Sequence, residues 1–65
     1  MNNTMDLHNP KILNLIKKEK VITSSELAKY LKVNWNTADK YLMELVMDGK
    51  IERIKKEGVN LWILK

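Results

Sequence analysis

"SSELAKYLKVNWNTADKYL", residues 24–42, decides how this chain is read. Two short amphipathic runs flank "KVN". In the first, Leu27, Ala28, Tyr30 and Leu31 share one arc of a helical wheel, while Ser24, Lys29 and Lys32 point away. Thr23 and Glu26 stand at capping-box spacing just before it. The hydroxyl serves the N3 amide and the carboxylate reaches back. Asn34 is a natural N-cap for a second run from Trp35 to Met47. Its inward arc holds Ala38, Tyr41, Leu42, Leu45 and Val46. Its outward arc holds Asn36, Asp39, Lys40, Met43 and Met47. Asp48 and Gly49 end it, glycine being free to take the left-handed conformation past the helix.

Working outward, "NPKILNLIKKEK" predicts an earlier helix that starts with Asn9 as N-cap and Pro10 at the first helical position. Ile12, Leu13, Leu15 and Ile16 form its apolar arc, with Lys11, Asn14, Lys17 and Lys18 opposite. Residues 1–8 are polar and aperiodic and read as a mobile tail, leaving 9–65 as the domain. "VIT", residues 21–23, is long enough for one rung of a small sheet. At the other end, "IERIKKEGVNLWILK" predicts a hairpin around Glu57 and Gly58. A two-residue turn there would oppose Arg53 to Trp62 and Ile54 to Leu61. Both faces of this ribbon carry apolar residues, so a bulge near Lys56 would flip part of the register. The sum is an α+β domain, a three-helix cluster with a small antiparallel sheet.

Sixty-five residues make one small domain. Twelve Lys and Arg against eight Asp and Glu leave a formal charge of +4, the sign expected of a nucleic-acid-binding domain. There is no cysteine, hence no disulfide and no thiolate metal site. The single histidine, His8, has no acidic or thiol cluster around it, so neither metal nor cofactor is expected. No nucleophile has a base beside it and no glycine-rich phosphate cradle is present, so the chain does not read as an enzyme. With no apolar run of membrane length and no signal peptide, a cytoplasmic location is expected.

The run from Val21 to Ile54 resembles the winged helix-turn-helix DNA-binding domains of bacterial and archaeal transcriptional regulators. "SSELAKYLKV" matches the helix-turn segment. "NWNTADKYLMELVMDGKI" matches the recognition helix and the Gly-x-Ile entry to the wing. The likeness covers Pro10 to Lys65. It implies a winged-helix fold, with helix 35–47 in the major groove and hairpin 51–65 on the DNA backbone. Carried over residue by residue, it implies DNA contacts from Trp35, Asn36, Thr37 and Lys40, and wing contacts from Arg53, Lys55, Lys56 and Asn60.

Each of these residues has a plainer role. Asn36 can bond adenine bidentately or simply be solvated. Thr37 can reach a phosphate or its own helix backbone. Trp35 can lie against a sugar or cover the preceding helix. Wing lysines can touch phosphate or merely block strand pairing. Asp39 on an outward face would repel phosphate. Winged helices that bind left-handed DNA also have a tryptophan near Trp62. However, they pair an asparagine with a tyrosine four residues later, where this chain has Asp39 and Met43, so that activity is not expected. Met43 and Met47, one turn apart, read as a dimer or partner contact, or as simply exposed or covered by the wing. Expected partners are double-stranded DNA and a second copy or a larger protein assembly, with no membrane and no small-molecule effector. The rival to a DNA-binding regulator is a winged-helix adaptor for protein contacts.

Overall fold

The computed structural model describes the backbone of residues 4–65 and the side chains from residue 9 onward. Its order is α1 (Thr4–Glu19), β1 (Ile22–Thr23), α2 (Ser24–Leu31), α3 (Trp35–Met47), β2 (Ile51–Lys56) and β3 (Val59–Leu64). The strands form one antiparallel sheet in the order β1-β3-β2. This is an α+β arrangement consistent with a winged helix.

The caps set the helix boundaries. Glu26 N–H donates to Thr23 Oγ1 at 3.2 Å, and Thr23 N–H donates to Glu26 Oε1 at 2.8 Å, which completes the capping box. Lys32 closes α2 in the left-handed region at φ 60°. Val33 N–H then reaches back to the Ala28 carbonyl at 3.0 Å, the long backbone bond of a Schellman turn. Asn34 Oδ1 accepts from Thr37 N–H at 2.9 Å and starts α3. Gly49 (φ 77°) ends it. Its N–H bonds the Val46 carbonyl at 2.9 Å, and Lys50 N–H bonds Leu45 at 3.0 Å. Glu57 and Gly58 both have positive φ, 50° and 81°, the signature of a type I′ two-residue turn. The hairpin register is the one such a turn implies, with Arg53 opposite Trp62 and Ile54 opposite Leu61.

Ten side chains build the core: Ile12 and Ile16 of α1, Ile22 of β1, Leu27 and Ala28 of α2, Ala38, Leu42 and Leu45 of α3, Ile51 of β2, and Trp62 of β3. Every element contributes, so neither helices nor sheet can bury its apolar side without the other.

Three expectations are corrected. The first helix does not begin at Asn9; it begins at Thr4, with Pro10 inside. Pro10 is the seventh residue of the helix, past the first turn; there proline removes one backbone donor and crowds the carbonyl four residues back, and the helix nonetheless runs through it. Asn9 is therefore no cap, and its Oδ1 is buried without a hydrogen-bond partner among the described residues. Of the expected tail, residues 1–3 lie outside the described residues and the backbone of 4–8 is helical. Second, Tyr30 is not inward but half-exposed, at 51%. Third, Ser24 does not point away: it is buried. Ser24, Leu27, Ala28 and Leu31 follow the i, i+3, i+4, i+7 pattern, so Ser24 belongs to the middle of the buried stripe and Tyr30 to its edge.

Candidate nucleic-acid interface

The buried serine organises the region beneath the exposed tip of α3. Trp62, wholly buried, donates its indole N–H to Ser24 Oγ at 3.1 Å. Ser24 in turn donates to Asp39 Oδ1 at 3.0 Å. One hydroxyl thus ties β3, α2 and α3 together. Sequence reasoning missed this relay; the available signal was the helical spacing of Ser24. Asp39, expected on the outward face, is half-buried and turned toward Ser24. Trp62, lying inside the core, presents no ring to a ligand.

The first turn of α3 carries no acidic side chain, and the nearest acid, Asp39 in the next turn, is engaged by Ser24. Trp35, Asn36 and Lys40 are exposed and Thr37 is half-buried. Asn36 and Lys40 are one turn apart and share a side of the helix. The positive end of the helix dipole points the same way as this turn, an arrangement that favours an anion. Trp35 is 54% exposed and is not a core residue. It lines a groove of about 200 Å³ together with residues 23–25 at the start of α2 and residues 58–60 at the hairpin turn. The groove thereby joins the starts of α2 and α3 to the hairpin tip. Asn60 is the one expected wing residue that lines it.

The remaining wing residues separate. Lys55 and Lys56 are exposed near the tip, beside the Glu57-Gly58 turn. Arg53 is exposed but leans on α3, its guanidinium 3.8 Å from Met43 Sδ. Met43 is half-buried and packed against the core, whereas Met47 is 81% exposed. The two methionines therefore do not form one open stripe; the wing covers the first. Met47 stands at the far end of α3 from Trp35. Among the described residues, no helix is long and apolar enough to cross a membrane.

Comparison with known proteins gives one match. Residues 2–61 fit the family described as bacterial protein of unknown function (DUF977), and the chain belongs to that family. No curated protein and no solved structure matches it.

Proposed function

We propose that this chain is a winged-helix protein that binds double-stranded DNA as a sequence-specific transcriptional regulator. The observation that carries the proposal is the acid-free first turn of α3 with Trp35 and Asn36 exposed, Lys40 exposed one turn on, and a groove that joins Trp35 to the hairpin tip. In this reading α3 enters the major groove. Asn36 reads a base edge, Lys40 meets a base or phosphate, and Thr37 and Trp35 meet backbone and sugar. Lys55, Lys56 and Asn60 hold the neighbouring backbone, with Arg53 beside them on β2. A chain charge of +4 supports phosphate contact.

The test is fluorescence anisotropy of labelled duplexes drawn from a random pool and from genomic DNA, at low and physiological salt. The regulator reading requires that a subset of sequences stays bound at physiological salt and that Asn36→Ala with Lys40→Ala releases it. Binding of all sequences alike with a steep salt slope indicates a non-specific chromatin-like protein instead. No binding at either salt rejects the proposal. The adaptor reading would then rest on Met47, an 81% exposed methionine at the opposite end of α3. Large exposed apolar side chains of this kind mark protein contacts when they cluster.

A further inference from the structure

The outer side of the sheet is apolar where a small basic domain would ordinarily be charged. Side chains alternate along a strand, and directly opposed residues share a face. Trp62 and Ile51 point into the core. Val59, Leu61 and Ile63, with their cross-strand partners Lys56, Ile54 and Glu52, therefore lie on the other side. Ile54 is 42% exposed and Val59 49%; Leu61 and Ile63 are half-buried. Along β2 this face reads Glu52, Ile54, Lys56: an acid, an apolar centre and a base.

That order is self-complementary. A two-fold axis at Ile54 sets Glu52 of each copy against Lys56 of the other and brings the two Ile54 side chains together. A symmetric contact needs such a patch, one that matches itself. We propose that the outer face of the sheet, centred on Ile54 and Leu61, docks a second copy of this chain. The copies pack face to face. Joining two β2 edges in the same register would put Arg53 directly opposite Lys55 of the second copy, a like-charge pair at the closest cross-strand spacing. Packed by their faces, the two sheets keep those cations on their far sides.

The size of the face sets the strength. The six residues of β2 and of β3 span about 20 Å and the two of β1 about 7 Å, each strand about 4.8 Å wide, so the face covers roughly 220 Å² in projection. A standard interface removes about 800 Å² per partner. The dimer is accordingly weak and concentration-dependent, with a dissociation constant on the order of 10⁻⁴ M, as for transient contacts. It shares Lys56 with the DNA-binding reading but requires no DNA, so an assay without DNA tests it separately.

Sedimentation equilibrium without DNA, from micromolar to millimolar protein, tests it. The expected mass rises from 7.7 kDa toward twice that value. Glu52→Lys and Lys56→Glu each weaken association about tenfold, and the double exchange restores it. Both side chains are exposed, so unchanged tryptophan fluorescence will confirm that the variants fold. The chain has no cysteine, and facing sheets stand about 10 Å apart, too far for a disulfide, so Ile54→Cys is expected to give a covalent dimer with a bis-maleimide spacer of about 10 Å. A mass fixed at 7.7 kDa across the range overturns the proposal. Association indifferent to both single reversals overturns it too, as does an Ile54→Cys protein that associates without cross-linking.

Discussion

Replacing Ser24 with alanine removes one oxygen and should cost far more than its volume. In the native fold Trp62 Nε1 donates to Ser24 Oγ at 3.1 Å, and Ser24 donates to Asp39 at 3.0 Å. Alanine leaves the indole N–H with no acceptor at a wholly buried position, a loss of about 1–3 kcal/mol. Asp39 is only half-buried, and water can replace its lost donor at little cost. The expected destabilisation is about 2 kcal/mol, from a domain whose total stability is roughly 3–10 kcal/mol at this length. The melting temperature should fall by about 8–16 °C. Urea titration followed by tryptophan fluorescence measures the change, and a double-mutant cycle isolates its cause. Trp62→Phe removes the donor along with some packing. In the Ser24→Ala background that substitution should cost about 1–2 kcal/mol less than in the wild type, because the orphaned N–H is gone. Asp39→Asn keeps an acceptor for Ser24 and should stay within about 0.5 kcal/mol of wild type. A Ser24→Ala protein with an unchanged urea midpoint and unchanged slope would refute the reasoning.

Backbone geometry gives a matched pair. Gly49→Ala has no atom within 4 Å of the new methyl group, so its expected cost of about 1–2 kcal/mol is left-handed strain alone. Lys32→Gly relieves the same strain at φ 60° and should gain about 0.5 kcal/mol after the entropy of glycine is subtracted; urea midpoints decide both. Removing the Asn34 cap with alanine should cost about 1 kcal/mol. It should also weaken DNA binding, since it loosens the turn that holds Trp35 and Asn36. For the interface, Lys40→Ala should lower the salt slope of binding by about one unit if it meets a phosphate. Asn36→Ala should leave the slope alone and cost about 1–3 kcal/mol on the preferred sequence only. Arg53 already leans on Met43 Sδ, so Arg53→Ala should change the slope less than Lys55→Ala or Lys56→Ala; anisotropy titrations at several salt concentrations read all of these.

What could be read from the sequence was whatever is encoded locally. Thr23 with Glu26, Asn34 before an apolar run, Gly49 after one, and Glu57-Gly58 between two β-rich runs each specify a boundary within a few residues. All four boundaries stand in the structure. Pro10 misled because its usual place is the first turn: an interior proline loses a backbone donor and crowds the carbonyl four residues back, yet α1 runs through it. Lys32 was illegible for another reason. Lysine has no preference for the left-handed region, so that α2 closes on it can be learned only from φ.

The candidate site was legible as a set of residues and illegible as a grouping, and Ser24 is the reason. Judged by polarity, Ser24 and Asp39 face solvent, and the outer face of α3 then carries a carboxylate beside Lys40. Judged by spacing, Ser24 sits among Leu27, Ala28 and Leu31, and a hydroxyl in that stripe must find partners across the core. It finds Trp62 and Asp39, which come from elements 38 and 15 residues away. No local pattern can encode such pairs. Their consequence is chemical as well as structural: the carboxylate beside Lys40 is engaged by Ser24, and the first turn of α3 has no acid of its own. The same division parts the wing, where Arg53 answers to Met43 midway along α3, and Asn60 shares the groove with Trp35 at its start.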